Sequence, residues 1–234
     1  MMKPEEAIQR ARYARIADDY DTLHMDPEHA MALAMLSGML DQIGVSSVLD
    51  VGAGTGRAMR ALRKAHPQLK VVGVEPVAEL RQAGHRMGIP ENDLIEGNGY
   101  QLQFGDGAFD LVCESGILHH VRHPERVIAE MLRVARKAIF ISDSNNFGGG
   151  SWPARLAKQT LNGLGLWPLT QWIVTGGKGY AITEGDGLFY SYSVFNDLAL
   201  IERNTKSVHM MNTTASGPNL YRTASHVALL GLKR

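Results

Sequence analysis

Val48-Leu49-Asp50-Val51-Gly52-Ala53-Gly54-Thr55-Gly56 is the stretch on which the reading of this chain turns. A short apolar run carries one acidic residue near its end, gives way to glycines at alternate positions, and opens into the helix-forming residues that follow Arg57. A strand that ends in glycines and leads into a helix is a ligand site for a physical reason. The first N–H groups of a helix lack intrahelical partners, and glycine lets a ligand approach the backbone closely. The dinucleotide fingerprint G-x-G-x-x-G would need its third glycine at position 57, which is Arg57. That departure counts against a nicotinamide-dependent oxidoreductase and favours a ligand whose uncharged amino-acid portion lies over the turn.

Outward from the turn, strands and helices alternate. Residues 47–51, 69–74, 93–96, 109–113 and 138–142 read as strands, and residues 57–65, 77–87 and 123–135 as the helices between them. Residues 4–17 and 27–43 read as earlier helices, the second with Asp26 as N-cap and Pro27 at its first position. A helix over 194–203 and strands over 207–213 and 226–232 close the chain, the strands as an antiparallel pair. This rhythm predicts an α/β fold: a doubly wound, mostly parallel seven-stranded sheet with an antiparallel last strand, N-terminal helices and an inserted cap. The expected segments are a helical cap over 1–44, a Rossmann-like core over 45–143, a substrate-covering insertion over 144–195, and a helix with a strand hairpin over 196–234. Ligands should gather above the carboxyl ends of the parallel strands.

A chain of 234 residues with 44% hydrophobic content buries an ordinary globular core. Its 24 basic and 24 acidic residues balance, so no global field points to a nucleic-acid or membrane partner. The one cysteine, Cys113, rules out an intramolecular disulfide framework and reads as a small core residue in an apolar strand. The N-terminal stretch lacks a signal-peptide pattern and there is no run of 18 apolar residues, so the expected setting is cytoplasmic.

The sequence VLDVGAGTG resembles the first motif of class I S-adenosylmethionine-dependent methyltransferases, of the branch that acts on small molecules. That resemblance implies S-adenosyl-L-methionine as cofactor, with Asp50, Gly52, Ala53, Gly54, Thr55 and Gly56 at its methionine portion. Glu75, followed by Pro76, ends the next strand 25 residues after Asp50. A carboxylate there suits the ribose because it can accept from both hydroxyls. Asn98 and Gly99 fall where related enzymes read adenine. Glu114 and Ser115, within FDLVCESGILHHVRHPERV, match the family's central strand end. The resemblance covers about residues 45–143.

Methyl transfer from a sulfonium needs alignment, plus proton removal when the acceptor is a hydroxyl. His119, just past the central strand, is the expected base, with Asp143 at the next strand end to orient it or act itself; Glu184 and Asp186 are rivals. No metal is expected, since His119, His120 and His123 show no companion ligands in the sequence. Residues 144–195 hold all three tryptophans and nine of the 16 aromatics, which suits a cap over a small-molecule methyl acceptor. A satellite core or a homodimer contact is the alternative. Lys178 lies in TGGKG, which fails the phosphate-loop pattern because position 172 is Trp172. The leading reading is O-methylation of a small molecule. A catalytically degenerate member serving as a cofactor-binding or partner subunit remains the rival.

Overall fold

Four of the five residues of β1 (Ser47–Val51) are buried, as a strand covered on both faces requires. The structure, a computed structural model, describes residues 4–23, 26–214 and 217–233. The remaining positions of the expected terminal segments lie outside the described residues. In chain order come α1 (Pro4–Ile16), α2 (Tyr20–Leu23), α3 (Pro27–Ile43), β1, α4 (Arg57–Ala65), β2 (Lys70–Val74), α5 (Ala78–Arg86) and β3 (Leu94–Ile95). Then follow β4 (Phe109–Ser115), a 3₁₀ turn at Leu118–His120, α6 (Pro124–Val134) and β5 (Ala135–Ser144). The final third holds α7 (Trp152–Gly163), α8 (Trp167–Val174), β6 (Ala181–Thr183), β7 (Gly187–Phe189), α9 (Leu198–Asn204), β8 (Ser207–Asn212) and β9 (His226–Leu232).

Seven strands form one sheet in the order β3-β2-β1-β4-β5-β9-β8, and β6 with β7 forms a separate ribbon. The first five run parallel; β9 is antiparallel to both β5 and β8. The seven-stranded expectation holds. Alternate residues feed two cores. Leu49, Val112, Ile139 and Leu229 join one beneath α6, while Val48, Leu111, Phe140 and Leu230 join the other beneath α3 and α4. This is the two-residue period of strands buried on both sides.

Strand order reverses at β1, which pairs with β2 on one side and β4 on the other. The crevice at that switch point is where an open α/β sheet binds ligands. Ala17 packs with Val77 and Leu80 beside Tyr13 and Tyr20, which brings α1 and α2 against α5 near this end of the sheet.

Two local expectations need correction. Asp26 does cap α3 and Pro27 does open it, but the Asp26 side chain makes no capping hydrogen bond. β5 starts at Ala135, directly after α6, because Ala135 pairs with Phe109 before the register shifts to Ala138 opposite Leu111. No described helix is long and apolar enough to cross a membrane.

Candidate active site

The three glycines of the turn all have positive φ: +73° at Gly52, +57° at Gly54 and +75° at Gly56. Residues with side chains rarely adopt that conformation, so the alternate spacing is a backbone requirement. Gly56 also allows close packing, since a Cβ there would sit 2.1 Å from Ile89 Cδ1. The N–H groups of Gly52 and Ala53 both donate to Val74 O, at 2.8 and 3.1 Å, which ties the turn to the end of β2.

Glu75 lies beside the turn and is 5% exposed. One carboxylate oxygen accepts Gly54 N–H at 3.0 Å and the other accepts Val77 N–H at 2.8 Å. Burial pushes its carboxyl above the ordinary range, against the pull of those two donors. Each oxygen keeps a second lone pair for a ligand. Asp50 is buried with only the Cys113 thiol, 3.8 Å away, as its described hydrogen-bond partner. Burial raises it to about 7. A buried carboxylate so weakly paired fits an ammonium-bearing ligand.

One cleft is lined by Glu75, Pro76, Asn98, Gly99, Tyr100, Gly52 and Ser115, and closed by Gln9, Tyr13 and Tyr20 from the N-terminal helices. A second, on the far side of the turn, is lined by Asp50, Gly52, Ala53, Thr55, Glu114, Ser115 and His29. The two share Gly52, Ser115 and Tyr20. His29, whose Nδ1 lies 3.0 Å from Ser115 Oγ, also borders a third basin that holds His119.

In that basin His119 Nδ1 lies 2.7 Å from Asp143 Oδ1 and Nε2 lies 3.6 Å from Asp186 Oδ2. Asp143 is fully buried, and its second oxygen accepts Leu118 N–H at 2.8 Å. Burial alone would depress His119, but Asp143 and then Asp186 outweigh it and raise the ring to about 10. Asp143 and Asp186 thus favour the protonated ring, which runs against the expected use of His119 as a base. Burial and the neighbouring His119 lower His120 to about 4. His120 Nε2 lies 3.0 Å from the Tyr13 hydroxyl, and its Nδ1–H faces Leu188 O.

Several expected residues already hold partners within the protein. Both oxygens of Glu114 accept backbone N–H groups, Ile117 at 3.1 Å and Ser142 at 3.0 Å, so it braces the ends of β4 and β5. The Thr55 hydroxyl donates to Asp21, and Asn98 Oδ1 accepts Tyr100 N–H at 2.9 Å. Glu184 is exposed, whereas Asp186 joins the histidines. One potential ligand atom from each of His119, His120 and Asp186 lies within 4.8 Å of the others, so these histidines do have an acidic companion. Trp167, Phe189, Tyr190 and Tyr192 line the basin, whereas Trp152 and Trp172 are 68% and 59% exposed. Sequence reasoning missed Tyr13, Tyr20, His29 and His226, which carry no local motif and meet the site only through folding.

A family profile described as a methyltransferase domain matches residues 49–141. Among curated proteins, the chain is 30% identical over 130 residues to a phosphatidylethanolamine N-methyltransferase of Cereibacter sphaeroides, covering 49% of this chain and 57% of that one. It is 36% identical over 137 residues to a demethylmenaquinone methyltransferase of Renibacterium salmoninarum, covering 57% and 56%. In these alignments the chain spans about half the length of the curated relatives. Among solved structures, the magnesium protoporphyrin IX methyltransferase of Synechocystis superposes with a TM-score of 0.63 at 13% identity, covering 98% of this chain and all (100%) of that one. The 1,6-didemethyltoxoflavin-N1-methyltransferase of Burkholderia thailandensis gives 0.61 at 17%, covering 100% and 91%. At such identities the superpositions speak for the fold.

Proposed function

We propose that the protein is a class I S-adenosylmethionine-dependent methyltransferase that methylates a small molecule, on oxygen; the methyltransferase-domain profile over residues 49–141 supports this reading. One observation carries the proposal. Three adjoining cavities lie in series: the one at Glu75 and Asn98 shares Gly52, Ser115 and Tyr20 with the one at Asp50, which shares Asp26 and His29 with the His119 basin.

S-adenosylmethionine supplies an electrophilic methyl group on a sulfonium. In this reading Glu75 accepts from the ribose hydroxyls, and Asp50 faces the amino group. The glycine backbone admits the methionine portion, and Asn98 with Gly99 edges the adenine. Tyr13 and Tyr20 close the cleft against water. Asp143 fixes the His119 ring, and Nε2–H is the donor that meets the acceptor oxygen. An imidazolium does not take a proton from an alcohol at neutral pH. It does orient an oxygen that is already anionic, such as a carboxylate or phenolate, for in-line attack. Proton abstraction, the role expected from sequence, thus gives way to orientation.

Calorimetric titration tests the cofactor. S-adenosylmethionine and S-adenosylhomocysteine should bind in the range of about 1–100 micromolar, and NAD far more weakly. Absence of binding by both sulfur compounds in several buffers refutes the proposal.

A further inference from the structure

Among the described residues, nine of the thirteen large apolar side chains that stand exposed fall between Trp152 and Ile182. The other four, Ile8, Leu23, Met31 and Met87, are spread over the N-terminal half of the chain. Neither α7 nor α8 buries a single residue. Trp152, Leu164, Leu169, Trp172, Ile173 and Val174 are 55–73% exposed. Ordinary soluble surfaces scatter such residues and do not gather them on one helical hairpin.

The hairpin is amphipathic in the inverted sense. Its polar side chains point into the protein. Lys158 Nζ donates to Gly149 O at 2.8 Å, Gln159 Nε2 to Phe147 O at 2.9 Å, Asn162 Nδ2 to Tyr221 Oη at 2.9 Å, and Trp167 Nε1 to Ser191 Oγ at 2.9 Å. Apart from Trp167, which packs on Phe147, its largest apolar side chains point out. Helices resting on an aqueous surface do the reverse, whereas helices at a lipid interface turn an apolar face outward.

Charge identifies the occupant. From Ser144 to Thr183 the chain has no Asp or Glu; Lys158 turns inward, which leaves Arg155 and the exposed Lys178 as the cations that can meet a partner, although the whole chain is balanced at 24 of each sign. A symmetric contact with a second copy would set this cationic segment against itself. An anionic bilayer complements it, and tryptophan is the side chain that favours the headgroup region.

We propose that the α7–α8 hairpin docks the protein on an anionic lipid surface. The other side of the same hairpin, through Lys158, Trp167 and Gln171, lines the His119 basin. Docking therefore sets the basin at the membrane, and it names the acceptor class as an amphiphile drawn from the lipid phase. That second step rests on the methyltransferase reading; the docking does not. It replaces the expectation, drawn from balanced charge, of no membrane partner.

All three tryptophans lie in this segment, so selectively excited tryptophan fluorescence reports on it alone. The test is flotation and fluorescence titration with vesicles of phosphatidylcholine alone and with about one-third phosphatidylglycerol, at low and high salt. The expected result is a blue shift and co-flotation with the anionic vesicles, weaker with neutral ones and reduced by salt. The double variant Trp172→Ser, Val174→Ser should lose at least about tenfold in partitioning. Its circular dichroism and S-adenosylhomocysteine affinity should not change, which keeps docking distinct from cofactor binding. Absence of vesicle binding, equal binding to neutral vesicles, or unchanged partitioning of the variant overturns the proposal. So does a concentration-dependent dimer that the same variant abolishes, which would assign the face to a second copy.

Discussion

Asp50 offers the sharpest test of the cofactor site, because its ionisation should be coupled to binding. The carboxyl is 3% exposed, its described hydrogen-bond partner is a thiol, and burial holds it at about 7 in place of 3.8. At pH 7 it is about half protonated. A ligand amino group favours the ionised form, so binding should release about half a proton at pH 7, about 0.9 at pH 6 and about 0.1 at pH 8. Calorimetric titration of S-adenosylhomocysteine at each pH, in two buffers of different ionisation enthalpy, reads that number from the buffer dependence of the heat. Asp50→Asn removes the titrating group, so its release should fall toward zero. Its affinity should drop by about 1.5–3 kcal/mol, the worth of a hydrogen bond to a charged group. Without ligand the sign is opposite to that of an ordinary ion-paired Asp. The native value lies above the unfolded one, so the protonated form stabilises the fold at low pH. Stability is then lost as pH rises from about 4 to about 7, by about 4 kcal/mol in all. The variant should lack this decline. Equal proton release by wild type and variant, or none from wild type at pH 6, refutes the assignment of Asp50.

Glu75→Gln should weaken S-adenosylhomocysteine by about tenfold or more in calorimetry while keeping most of the fold, since an amide oxygen can still accept one backbone N–H. Glu75→Ala should also lower the melting temperature, because it strands the Gly54 and Val77 N–H groups; an unchanged dissociation constant in both variants removes Glu75 from the site. With a carboxylate acceptor and saturating S-adenosylmethionine, kcat/KM for the acceptor should hold from about pH 6 to about 9 and fall as pH rises through about 10, because His119 is active as the imidazolium below that value. A rate that climbs with pH instead makes His119 the base. Gly56→Ala should destabilise by about 1–3 kcal/mol in denaturant titration, from its φ of +75° and the 2.1 Å approach to Ile89; a neutral result contradicts the description of the turn.

What the sequence made legible follows from what is local. Gly52, Gly54 and Gly56 announce themselves because a left-handed backbone excludes other side chains, and the spacing that looks like a motif is three consecutive solutions to that constraint. The strand rhythm is legible for the same reason: apolar runs such as Val48–Val51 and Ile139–Ile141 are buried on both faces and need no polar alternation. Asp186 illustrates the opposite case. It lies 67 residues beyond His119 in the chain and 3.6 Å from it in space, and its arrival, with that of Asp143, favours the protonated form of a histidine expected to act as a base. Glu114 fits the family pattern by position, yet its two oxygens take the N–H groups of Ile117 and Ser142, a use that backbone geometry alone reveals.

The hairpin of α7 and α8 shows a deeper reason for the limit. Periodicity identifies an apolar stripe on a helix but not the medium the stripe faces, and the usual inference, that it faces the protein, assumes water on the other side. Here Lys158, Gln159 and Asn162 bond inward and Trp172, Ile173 and Val174 point outward, so the stripe is real and the assumption fails. Whole-chain charge hides the same fact, because a segment that leaves Arg155 and Lys178 for a partner and has no anion averages away within 24 of each sign. A binding surface made by orientation is therefore invisible to composition. The inward polar bonds carry the signal, since they fix which face is left over for a partner.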